Sequence, residues 1–118
     1  MKNNSRRATS SELLLISFLV EKASLHLNDN WQENLIVTPM DDGGMGSLVL
    51  NLGDDLNSNR RMGSQVSECS FLDEDGVEVL ATLNLDENSE LFELDVWKVN
   101  YEPLIKLPYD DSAYKVLY

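Results

Sequence analysis

Residues 77–99 read VEVLATLNLDENSELFELDVWKV, and their alternation decides the fold. Two alternating runs, Val77 to Leu85 and Glu90 to Val99, flank Asp86-Glu87-Asn88-Ser89, a turn by composition. A period of two describes strands with one buried face, so an antiparallel hairpin is expected. Setting Leu85 opposite Glu90 places Leu83 against Phe92, Ala81 against Leu94 and Val79 against Val96 on a core face. The other face then pairs Thr82 with Glu93, Leu80 with Asp95 and Glu78 with Trp97. A bulge would shift that register. Upstream, Val66 to Leu72 is a third strand, joined to the hairpin through the turn Asp73-Glu74-Asp75-Gly76.

Further out the signals change. Thr9-Ser10-Ser11-Glu12 matches a capping box and opens a helix expected over residues 10–25, apolar around most of its circumference. Such a helix is expected to lie on a sheet and to be covered in part by a neighbouring segment. Leu35-Ile36-Val37 and Ser47 to Leu52 are short strands on either side of Asp41-Asp42-Gly43-Gly44-Met45-Gly46, a tight turn in which Asp42 bonds backbone amides. Residues 53–62 read as an exposed loop. Pro103 and Pro108 keep the following chain extended, and residues 109–118 are either an edge strand or a docked terminus. The expected architecture is α+β: an N-terminal helix packed on a four- to five-stranded antiparallel β-meander, with residues 1–8 a flexible basic arm and 9–118 one domain.

Charge is the strongest functional signal. Between Arg61 and Lys98 there is no Lys or Arg, while ten carboxylates occupy the interval, and the net charge is −12. Nucleic acid and anionic membranes are disfavoured as direct ligands, because both need basic side chains. Basic proteins, cationic peptides and divalent metals are the ligand classes left open, and the same charge also serves solubility. Cys69 is the only cysteine, which fits a reducing compartment, and Leu13 to Val20 is too short to span a bilayer. A cytoplasmic protein is expected.

Catalytic constellations are weak. His26 is the only histidine and has no nucleophile at a suggestive spacing. Cys69 alternates with Phe71 in a strand and reads as a small core residue. Neither Asp41-Asp42 nor Asp73-Glu74-Asp75-Gly76 follows a calcium-loop pattern, and the glycine-rich turn lacks the Lys-Ser/Thr of a phosphate loop. No catalytic residue, metal ligand or cofactor is assigned. The residues assigned to a partner surface are Asp73, Glu74, Asp75, Glu78, Glu93, Asp95 and Trp97. Trp97 is either an interface anchor on the outer face or a core aromatic.

The stretches DDGGMGSL at residues 41–48 and LNLDENSELFELDVWKV at 83–99 resemble a family of small bacterial proteins, which in turn resemble immunity proteins of contact-dependent growth inhibition systems. That resemblance implies a non-catalytic protein that binds a basic cognate toxin domain, a nuclease of tRNase or RNase type, as a monomer in a 1:1 complex. The alternatives are a small metal-binding or hydrolytic enzyme using the Asp41-Asp42 loop, and a generic protein-interaction module.

Overall fold

The computed structural model describes residues 4–52 and 60–117. Helix α1 spans Ser10–Lys22, and its start is the expected capping box. Glu12 N donates to Thr9 Oγ1 at 3.1 Å, and Thr9 N donates to Glu12 Oε1 at 2.9 Å. The helix ends before residue 25 because Ser24 turns to φ 56°. A single turn, α2 (Trp31–Asn34), follows and touches α1 through Gln32 Nε2 donating to Ser17 Oγ.

The strands are β1 (Arg6–Arg7), β2 (Leu35–Pro39), β3 (Leu48–Leu52), β4 (Met62–Leu72), β5 (Glu78–Asp86), β6 (Leu91–Lys98) and β7 (Lys115–Val116). All pair antiparallel in one sheet, ordered β1-β2-β3-β6-β5-β4-β7. The α+β class holds, with seven strands in place of four or five. The added strands, β1 and β7, have two residues each, too few for alternation to register. Strand β1 lies within the expected flexible arm; Arg6 is held there by a bidentate bond to Glu12, at 2.8 and 2.9 Å. The sheet is not one continuous meander: two runs of successive antiparallel strands, β1-β2-β3 and β4-β5-β6, are joined where β6 lies beside β3. Of the expected 53–62 loop, residues 53–59 lie outside the described residues; Met62 already belongs to β4.

The hairpin register differs from expectation through a bulge at Phe92. Leu85 faces Leu91, and beyond the bulge Leu83 faces Leu94, Ala81 faces Val96 and Val79 faces Lys98. Phe92 leaves the core face and Leu91 takes its place, fully buried. On the other face Leu80 faces Trp97, Thr82 faces Asp95 and Asn84 faces Glu93. The faces expected for Leu94, Val96, Glu93, Asp95 and Trp97 survive because the shift is two residues, and side chains repeat with period two.

The core lies on one side of the sheet. Leu15, Ile16 and Leu19 of α1 meet Leu35, Val37, Leu50, Cys69, Val79 and Leu83, all 0–1% exposed. Leu104 and Leu107, half-buried, pack against this core. The tail combines both expectations: β7 is an edge strand, and Tyr114 docks against Phe18 and Phe71 at ring distances of 5.0 and 5.8 Å. Cys69 is a core residue, its thiol pushed up to about 12 by burial and then by Glu68.

Two cations, Arg60 half-buried and Lys98 fully buried, hold the parts together. Arg60 donates to Leu50 O of β3 and Leu91 O of β6, both at 2.7 Å, bridging strands whose direct pairing covers only Leu48–Leu94 and Val49–Glu93. Lys98 lies on the core side, 1% exposed, with Nζ 2.8 Å from Asp73 Oδ2, 2.7 Å from Asp75 Oδ2 and 3.3 Å from the Pro103 carbonyl. Asp73 also accepts from the amides of Glu74, Ile105 and Lys106. Burial alone would raise its pKa; Lys98 and those amides outweigh it and pull Asp73 from 3.8 down to about 2.

Asp73 is therefore expected to stabilise the fold above its unfolded pKa, with the contribution lost as pH falls through about 4 to 2. Thermal melts across that range should show a steep acid limb for the native chain. Asp73→Asn should melt lower at neutral pH and show a flatter limb. At Gly63, an added Cβ would collide with the Asp86 carbonyl. Gly63→Ala should cost about 1–3 kcal/mol in urea unfolding.

Candidate functional site

The helix-free face of β5 and β6 gathers most of the residues assigned to a partner. Glu78 and Asp95 are exposed, Glu93 is half-buried, and Trp97 is 42% exposed with its ring 5.8 Å from that of Tyr101. Trp97 is thus on the outer face, with Leu80 beside it in the ladder. Alternation places Glu68 of β4 on the same face, opposite Thr82. Glu68 was legible as an outer residue from its position between Ser67 and Cys69, although the sequence reading did not assign it.

The turn acids are divided. Asp73 is buried and belongs to the Lys98 cluster, which corrects its assignment to a partner surface. Asp75 shares that lysine but remains 38% exposed, its pKa held down first by Lys98. Glu74 is exposed. The physical difference is position: Asp73 directly follows β4 and faces the ammonium, whereas Glu74 stands at the tip of the turn.

The glycine-rich turn borders this face. Gly43, Gly44 and Gly46 have φ of 75°, 82° and 105°, conformations open to glycine. Asp42 accepts from Met45 N at 3.1 Å and Ser47 N at 2.9 Å, as expected; burial opposes its ionisation, and these amides more than compensate, lowering its pKa. Ser47 Oγ accepts from Val96 N at 2.8 Å and contacts Val96 O at 3.2 Å, so the turn docks on β6. Between turn and sheet runs a groove of about 290 Å³, lined by Met45, Glu68, Leu80, Thr82, Asp95 and Trp97 among others. Met45 was not legible as a site residue, because nothing local says that the turn folds against the sheet's far strands.

What can this surface do chemically? Among the described residues, no group of three or more His, Cys, Asp or Glu is arranged to hold a metal ion. His26 is exposed and lies past the C-terminal end of α1, and it does not line the groove. Nor is any helix among the described residues long and apolar enough to cross a membrane. The arrangement is suited to binding: an exposed indole, an aliphatic neighbour and carboxylates on a rigid sheet.

Glu93 carries a cost of this arrangement. Burial first, and then repulsion from Asp95, raise its pKa, with Asn84 and Arg60 offsetting part of the shift. A raised carboxyl pKa favours the folded state at pH below the unfolded value, and that advantage disappears as pH rises. Glu93→Gln should therefore raise the melting temperature at pH 7, and the difference should shrink below about pH 4, where wild-type Glu93 is protonated. A lower melting temperature for the variant at pH 7 would contradict this electrostatic account.

No curated protein and no solved structure matches the chain. A family model described as a domain of unknown function, DUF6984, matches residues 5–108, which cover β1 through β6, both helices and the segment around Leu104; the chain belongs to that family.

Proposed function

We propose that this protein is a non-catalytic immunity protein that binds and neutralises a basic cognate toxin domain, a nuclease of tRNase or RNase type, through the helix-free face of its sheet. The observation that carries the reading is the co-location of Trp97, Leu80, Glu68, Glu78, Glu93 and Asp95 on that face. An acidic face accelerates encounter with a basic partner, and an aromatic at its centre supplies desolvated contact area. Two basic residues flank it at the sheet edges, Arg7 opposite Ile36 and Lys115 opposite Ser70, so the negative field is concentrated on the central strands. Burial first, and then Asp95, disfavour the charged form of Glu93, the pattern expected where binding competes with stability. The resemblance of the two sequence stretches to immunity proteins supplies the partner class, and the acidic composition agrees with it.

The alternative of a hydrolase built on Asp41-Asp42 draws less support. Asp42 commits both carboxylate oxygens to amides of its own turn. That geometry suits a structural acid better than a metal ligand or a general base.

The decisive experiment is co-expression with the toxin domain encoded beside this protein. Protection of the cells is expected, and unprotected death would overturn the reading. Replacing Glu93 and Asp95 together by Lys should slow association with that toxin by roughly tenfold or more at low ionic strength and by less at high ionic strength. A salt-independent loss would argue against electrostatic steering.

A further inference from the structure

We propose that the groove between the glycine-rich turn and the outer face of β5 and β6 receives an arginine side chain of the basic protein partner, its guanidinium lying over Trp97. This rests on the reading that the helix-free face is the partner surface and names the chemistry of the contact.

Size is the first argument. At about 290 Å³ the groove falls just below the roughly 300–1,000 Å³ typical of small-molecule sites, so one side chain is a better match than a metabolite. Its lining is mixed in the manner that a long cationic side chain requires. Met45, Leu80 and Trp97 offer apolar area to a methylene stem, and Glu68 and Asp95 offer carboxylates to its head. Each of these carboxylates has one oxygen engaged: Glu68 Oε2 accepts from Thr82 Oγ1 at 2.9 Å, and Asp95 Oδ2 accepts from Asn84 Nδ2 at 3.1 Å. The hydrogen bonds orient both groups and leave their second oxygens for an incoming donor. Among the described residues no Lys or Arg lines the groove, so none of them neutralises its negative charge there.

Arginine satisfies this lining better than lysine. Its planar guanidinium stacks on an indole while donating in its own plane to more than one carboxylate. An ammonium is a point charge that cannot do both with the same geometry. Trp97 is steadied for this role by Tyr101, whose ring lies at 60° to the indole. The anchoring of Ser47 to Val96 keeps the Met45 wall in place, so the groove is built before the partner arrives.

The test uses the full isotope-labelled chain and an end-blocked Gly-Gly-Arg-Gly-Gly peptide, with lysine and citrulline versions as controls. The arginine peptide should shift the Trp97 indole N–H and the amides of Leu80 and Thr82, while the Trp31 indole, on the helix side of the sheet, stays still. The citrulline peptide should have no effect. The lysine peptide, and the arginine peptide on a Trp97→Ala chain, should each bind at least roughly fivefold more weakly. Equal affinities for arginine and lysine, shifts spread evenly over Glu74, Glu78 and the other surface acids, or an unmoved Trp97 would overturn the proposal. If cells are not protected and the arginine peptide still seats on Trp97, the toxin reading falls and the groove stands. If cells are protected and the peptide ignores Trp97, the groove falls alone.

Discussion

The ammonium of Lys98 ties the ends of this fold together. It sits on the core side of the sheet, where an isolated charge would be expelled, and it is retained by Asp73, Asp75 and the Pro103 carbonyl. Asp73 in turn gathers the amides of Ile105 and Lys106, so one cluster joins the β4–β5 turn, the end of β6 and the chain that follows. That last segment carries Leu104 onto the core, and Leu104 N donates to Gly44 O of the glycine-rich turn at 3.0 Å. The wall of the groove and the lid of the core therefore share one anchor. Arg60 has a parallel role at the other end of β6, closing the gap to β3 with two backbone carbonyls.

This arrangement separates the acids of the base-free interval by what they do. Asp73 and Asp86 are buried, bound to local amides and paired with Lys98 and Arg60 respectively, so they belong to folding. Asp75 stands between, bound to Lys98 yet partly open to solvent. Glu68, Glu78, Glu93 and Asp95 stand on an outer strand face. Glu68 and Asp95 each accept one hydrogen bond from a neighbouring strand, whereas burial and then Asp95 disfavour the charged form of Glu93. Such repulsion beside an exposed tryptophan is the physical ground on which a binding role is proposed for this face.

Much of this was readable along the chain. The capping box, the glycine-rich turn with Asp42 at its centre, the three strands of the meander and the core role of Cys69 depend on neighbours within a few residues, and each took the expected form. The hairpin faces were legible for Leu94, Val96, Glu93, Asp95 and Trp97, because alternation is local, but not for Leu91 and Phe92. A bulge exchanges those two residues, and it is accompanied by the guanidinium of Arg60, thirty-two positions earlier, stacking on the Phe92 ring at 5.0 Å. The edge strand β1 escaped for another reason: two residues cannot display a period, and their pairing is decided by the strand already waiting beside them; β7, equally short, was expected only as one of two alternatives for the tail.

The sequence by itself determined where α1 begins, that three successive strands joined by tight turns follow one another in the second half of the chain, which residues of the hairpin face away from the core over most of its length, and that the central surface is acidic. Those properties follow from short-range periodicity, turn geometry and formal charge. Only the tertiary structure decided which acids are available to a partner. A carboxylate in a turn has the same local sequence whether it meets water or a buried lysine. Lys98 lies twenty-five positions from Asp73 and reaches it because β4, β5 and β6 stack side by side. The groove at Trp97 is a consequence of the same kind, since Met45 and Glu68 approach β6 from opposite sides through contacts that no stretch of chain encodes alone.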